Sequence, residues 1–85
     1  MTPRFDVLVE VTLRPGIADP QGATIERALP ALGFAGVGGV RVGKAFRFSV
    51  EAASADEARA RVEDLSQRLL ANPVIEDTRI EVTAP

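Results

Sequence analysis

The 85 residues of this chain predict one domain, with a modest core because such a chain buries only about 60–65% of its unfolded surface. The sequence has no cysteine and no histidine, which excludes disulfides, thiolate nucleophiles and the commonest metal ligand and general base. A net charge of −2 with dispersed cations, and only four aromatic residues, predicts no binding to nucleic acid or to a membrane surface. We therefore expect a cytoplasmic domain without catalytic activity of its own.

The first predicted element is a strand from Phe5 to Leu13, because apolar residues alternate there with mostly polar ones. The block 13–22 follows, in which two prolines fix φ and two glycines permit conformations or close approaches that a Cβ would forbid. Within it, Asp19 and Pro20 are typical of a helix N-cap and a first-turn proline.

The first helix is predicted from an apolar stripe that ends before Gly33, formed by Ile25, Ala28, Leu29 and Leu32. Pro30 interrupts this stripe. Because proline removes a helical hydrogen bond, we expect a kink or an early end near Leu29.

A weaker second strand is predicted over Val37, Val40 and Val42, with glycines between them. Gly43 and Lys44 then resemble a two-residue hairpin turn, and a third strand carries alternating apolar residues from Phe46 to Val50.

The second helix is predicted to begin at Ser54, because Glu57 three residues later completes a capping box. Asn72 precedes a proline and is expected to end the helix. The apolar stripe of this second helix is Ala58, Val62, Leu65 and Leu69. A final strand carries Ile80 and Val82.

The order βαββαβ predicts an α+β, ferredoxin-like sandwich, an antiparallel sheet of order 4-1-3-2 with both helices on one face. In that topology three connections share one end of the molecule. The candidate partner-binding residues are Arg14, Asp19, Gln21, Arg41, Lys44 and Asn72. The simpler alternative is that the cations are solvated loop charges and that Asn72 is a local cap.

Four segments, residues 13–22, 32–34, 40–44 and 69–77, together resemble the PurS family, the small subunits of phosphoribosylformylglycinamidine synthase. The resemblance implies a single PurS-like domain over residues 1–85 that assembles with itself as a homodimer or larger oligomer. It also implies docking to the synthetase subunit PurL and the glutaminase subunit PurQ, which support ammonia transfer in purine biosynthesis. ATP and magnesium are then used by PurL, and this chain needs no cofactor.

Two alternative functions are compatible with the same order of strands and helices. An ACT-like regulatory module would admit a small ligand near the loop formed by Arg14, Pro15 and Gly16. An acylphosphatase-like hydrolase would use an arginine and an asparagine at a phosphate, but Arg14 and Asn72 lie on different segments here.

Overall fold

The computed structural model of the chain describes residues 2–84, which form an α+β fold with one antiparallel sheet of three strands and two α-helices. The strand order is β2-β1-β3, so the long first strand lies in the centre. The elements are β1 (Arg4–Leu13), α1 (Pro20–Ala28), β2 (Gly43–Glu51), α2 (Ala55–Leu65) and β3 (Glu76–Thr83).

The core lies between β1 and α2. Alternate residues of β1 face inward, and Val7, Val9 and Val11 are buried against Val62 of α2. A second small cluster joins Phe5 to the start of α2. The helix packs toward β3, and the inward side chains of β2, Phe46 and Phe48, stay only half buried.

The predicted second strand is wrong, and with it the four-stranded order 4-1-3-2. Residues 37–42 pair with no strand within the described chain. Their backbone N–H groups are bound by carboxylates instead: the Val40 N–H donates to Glu26 Oε1 at 2.8 Å, and the Val42 N–H to Asp19 Oδ2 at 2.8 Å. Because the sheet loses one edge strand, the remaining order corresponds to 4-1-3.

The hairpin turn predicted at Gly43 and Lys44 is also wrong, because both residues belong to β2 and pair with Thr12 and Val11. Glycine at position 43 has a different physical reason. A Cβ there would lie 2.7 Å from the Val11 carbonyl oxygen, so the close approach of β1 and β2 requires glycine.

The helix α1 ends at Ala28, which confirms the early end expected from Pro30. A short 3₁₀ turn from Pro30 to Leu32 follows, and Gly33 closes it with a φ of 89°. We call residues 15–42 the arm. α1 packs chiefly within this arm and not over the sheet, so the prediction of two helices on one sheet face is wrong.

The arm makes the molecule elongated. Its dimensions are 55 × 27 × 15 Å and its radius of gyration is 16.7 Å, against about 12 Å expected for a compact chain of this length. No helix in the described part of the chain has the length and apolar composition needed to cross a membrane.

The helix α2 begins as predicted, since Ser54 Oγ accepts the Glu57 N–H at 3.1 Å. The helical run ends before Asn72, as predicted, but its last turn, from Ser66 to Leu70, is a π turn. The wider turn changes which side chains face the sheet: Ser66 is buried and Leu70 packs on the core. Leu69, predicted on the buried stripe, is 74% exposed.

Candidate functional site

The predicted site residues surround one end of the sheet, where β1 ends and both β2 and β3 begin. Thr12 near the end of β1 pairs with Gly43 on one side and with Asp77 on the other. The candidate residues flank these three strand ends: Arg14 follows β1, Asp19 and Gln21 begin α1, Arg41 and Lys44 flank the start of β2, and Asn72 precedes β3. We call this region the motif end.

Arg14 fixes the connection between α2 and β3. Its backbone N–H donates to the Ile75 carbonyl at 2.9 Å, and its guanidinium donates to the Pro73 carbonyl. The Arg14 Nε also lies 3.3 Å from Asp77 Oδ1, in an ion pair with about half of each side chain exposed. Arg14 is therefore bound to the connection and is not a freely solvated loop charge.

Residues 72–76, which we call the corner, are held by Asn72. The Asn72 Oδ1 accepts the Val74 N–H at 3.0 Å, and the Asn72 carbonyl accepts the N–H groups of Ile75 and Glu76. The Asn72 N–H in turn donates to Glu76 Oε1 at 2.7 Å. The predicted role of Asn72 as a local cap is thus present, extended to a whole turn.

Asp19 joins the two ends of the arm. Its Oδ1 accepts the Gly22 N–H at 2.9 Å, as expected for an N-cap, while its Oδ2 accepts the Val42 N–H. These two backbone donors, Gly22 first, lower the pKa of Asp19, and the positive charge of Arg41 adds to the effect. The ionised carboxylate is therefore the form that the folded arm stabilises.

Arg41 connects the arm to the block that follows β1. Its guanidinium donates to the carbonyl of Ile17 at 3.2 Å and to that of Arg14 at 3.4 Å. Arg41 was predicted on a strand, and the structure instead places it where it fixes a loop.

Gln21 and Lys44 are the two candidates without such a structural role. Within residues 2–84 their side chains take part in no hydrogen bond or ion pair, although Lys44 Nζ lies 6.0 Å from the centre of the Phe46 ring. Together with Asp19 and Glu76 they line a cavity of about 470 Å³, whose apolar wall includes Val11 and Val42. This composition suits binding through apolar contact with a polar rim.

Two further residues matter at the motif end, of which sequence reasoning missed Glu26 and anticipated Gly22 only in part. Glu26 binds the Val40 N–H across the arm, and no local pattern could have indicated this long-range contact. Gly22 is buried, and a Cβ on it would lie 2.5 Å from the Val40 carbonyl oxygen. The sequence predicts that a glycine here permits either an unusual conformation or a close approach, but it does not indicate that residue 40 is the neighbour.

The described residues, 2–84, contain no group of three or more acidic, histidine or cysteine side chains that could hold a metal ion.

Comparison with known proteins gives a consistent result. A family model described as PurS, phosphoribosylformylglycinamidine (FGAM) synthase, matches residues 6–84. The chain is 37% identical over 84 residues to the FGAM synthase subunit PurS of Synechocystis sp., covering 99% of this chain and 84% of the relative.

Solved structures agree. The PurS subunit of FGAM synthase from Thermotoga maritima superposes with a TM-score of 0.89 at 33% identity, covering 96% of this chain and 94% of that one. A chain in the structure of PurLQS from Thermotoga maritima superposes with a TM-score of 0.87 at 34% identity, covering 94% and 98%.

The contact at Gly22 generates a prediction about the arm. We expect Gly22→Ala to detach residues 40–42 from α1, because the new Cβ would clash with a backbone oxygen that cannot rotate away. Hydrogen exchange of the Val40 and Val42 amides should accelerate about tenfold or more, equivalent to about 1.4 kcal/mol. Helix propensity alone predicts the opposite sign, since alanine stabilises a helix relative to glycine.

Gly38→Ala is the matched control for this change. Its added Cβ would meet no atom within 4 Å, and its φ is not positive. Equal exchange rates in the two variants would contradict the close-packing explanation.

The lowered pKa of Asp19 generates a prediction about the stability of the arm at low pH. Because folding lowers its pKa below the ordinary 3.8, the stabilisation by Asp19 is complete above that value and is lost as the pH falls through the lower folded pKa. In a nuclear magnetic resonance titration, the Val42 amide shift should follow the Asp19 carboxyl with a midpoint below 3.8. Asp19→Asn should abolish this transition, whereas Asp6→Asn, on the exposed face of β1, should retain it. A Val42 transition that persists in Asp19→Asn would assign it to another group.

Proposed function

This chain belongs to the PurS family of phosphoribosylformylglycinamidine synthase, a ligase of purine biosynthesis, and from that premise we propose that it is a non-catalytic assembly subunit. In this proposal it joins the synthetase subunit PurL to the glutaminase subunit PurQ in the cytoplasm, as one domain. The observation that carries the proposal is the set of large apolar side chains exposed on the arm, together with the inward side chains of β2, which α2 leaves only partly buried.

The residue types available fit an assembly role. Glutamine hydrolysis by a thiolate needs a cysteine, and this sequence has none. We assign the ATP, the magnesium and the ammonia-producing step to PurL and PurQ. The structure of PurLQS, in which one chain superposes on this one, supports the choice of these two partners.

Self-association follows from the open surfaces. The large apolar side chains exposed on the arm are Ile25, Leu32, Phe34 and Val37, between 45% and 69% exposed. On the sheet, the inward side chains of β2 lie beside α2 without a helix over them. We propose that the arm of each copy packs over the β2 side of a second copy, so that each completes the layer that the other lacks.

The energetic reason is the ordinary cost of exposed apolar surface. Burying a Leu or Phe side chain fully contributes about 1.5–3 kcal/mol relative to leaving it exposed. When two copies exchange arms, each copy buries its own set of arm side chains, so the gain is doubled. A homodimer is the smallest assembly that satisfies this geometry.

The motif end is the surface we propose for the larger partners. Arg14, Asp19, Arg41 and Asn72 fix the backbone there, and Gln21 and Lys44 remain available for contacts with a partner. A rigid backbone lowers the entropy lost on docking.

The first experiment measures FGAM synthesis by PurL and PurQ with and without this chain. We expect glutamine-dependent turnover to fall sharply in its absence, because ammonia made by PurQ then escapes to water. Turnover driven by added ammonium should be affected far less, and the purified chain alone should show no ATPase or glutaminase activity. Full glutamine-dependent turnover without the chain would contradict the proposal.

The second experiment tests arm exchange by measuring molar mass with light scattering after size exclusion. Phe34→Asp should shift the chain toward the monomer, because Phe34 is 56% exposed in the isolated chain and would be buried in the dimer. Ala35→Asp, the exposed neighbouring position, adds the same charge and should leave the mass unchanged. Equal masses for wild type and Phe34→Asp would show that the arm is not the interface.

A further inference from the structure

We propose that the corner, with Val74 at its tip, forms an apolar knob together with the exposed Leu69 of the preceding π turn, and that this knob inserts into an apolar socket on the PurL–PurQ assembly. This inference rests on the proposed function and names the contact that carries it at the motif end. The occupant we assign is a surface of the larger subunits, and not a second copy of this chain.

The exposure of the apolar residues separates two surfaces. Of the six exposed large hydrophobic residues described, four belong to the arm. The other two, Leu69 and Val74, are the most exposed of the six, at 74% and 77%. Leu69 lies in the π turn after α2, and Val74 lies in the corner that leads to β3. Arm exchange accounts for the first group and leaves the second without a partner.

The corner holds Val74 rigidly. Every backbone N–H from Ala71 to Glu76, proline excepted, donates a hydrogen bond within the segment 66–76. The carbonyls of Pro73 and Ile75 accept from Arg14 on β1's end. Because the backbone of the corner is held by these hydrogen bonds, Val74 loses little conformational freedom on binding, which is typical of a preorganised anchor residue.

The π turn explains why Leu69 is exposed. An uninterrupted α-helix would place it on the stripe of Ala58, Val62 and Leu65, facing the sheet. The π turn from Ser66 to Leu70 puts Leu70 on the core in its place. Leu69 therefore faces outward near the corner, whereas a regular α-helix would have buried it against the sheet.

The arm exchange proposed above places the second copy on β2 and assigns it no contact at the corner. The corner leads into β3, whereas the open inward side chains that await the arm lie on β2, across the central strand. A second copy seated on β2 leaves the corner accessible. Two aliphatic side chains are also far short of the about 800 Å² per partner of a stable interface. They fit an anchor inside a larger contact, such as one with PurL and PurQ.

The test compares two measurements on the full chain, molar mass in solution and affinity for the purified PurL–PurQ pair. Val74→Asp should weaken that affinity about ten- to hundredfold, the loss expected from one buried valine, while the molar mass stays at the wild-type value. Leu69→Asp should act in the same direction. Ala60→Asp, an exposed position in α2, adds the same charge and should change neither measurement.

Thermal unfolding of each variant separates docking from folding, and Val74→Ala replaces Val74→Asp if the charged variant melts early. Unchanged affinity in a folded Val74 variant would overturn the knob while leaving the proposed function intact. A fall in molar mass caused by Val74→Asp would also overturn it, because the second copy would then be the occupant. If the wild-type chain binds neither PurL nor PurQ, both the proposed function and the knob are wrong.

Discussion

One helix lies over a sheet face that is three strands wide. A helix with its side chains is about 10 Å across, whereas three strands about 4.8 Å apart present a face of about 14 Å. In this chain α2 covers β1 and leans toward β3, so Val9 is fully buried and Phe46 is only half buried. The isolated chain therefore leaves the inward side chains of β2 only partly covered, and the arm exchange that we propose would cover them.

The contacts within the arm show how the other helix, α1, is kept away from that sheet face. Asp19 and Glu26 bind the N–H groups of residues 42 and 40, which a strand would have offered to a neighbouring strand. The same two carboxylates thus fasten α1 to its return segment and prevent a fourth strand. Buried Gly22 lets the two segments approach closely enough for these hydrogen bonds.

Local patterns predicted the elements whose causes are local. Alternation identified β1, Pro30 predicted the end of α1, and Ser54 predicted the start of α2.

The errors arose where residues distant in the sequence determine the local structure. The N–H groups of residues 40 and 42 could join a strand or a carboxylate, and only the folded chain shows which. The π turn likewise depends on packing, because it brings Leu70 onto the core and buries Ser66, whose Oγ has no hydrogen-bond partner within residues 2–84. At the motif end, sequence reasoning predicted residues that the structure places around one end of the sheet, but it could not show that most of them bind backbone.

The pairing of Thr12 with Gly43 means that the whole arm leaves and re-enters the sheet at neighbouring positions of adjacent antiparallel strands. In topological terms it is an enlarged hairpin loop inserted between them. Closing a longer loop is inexpensive, since each doubling of length costs only about 0.6 kcal/mol. The arm can therefore change in length during evolution without disturbing the register of the strands, and its reach can vary while the sheet stays constant.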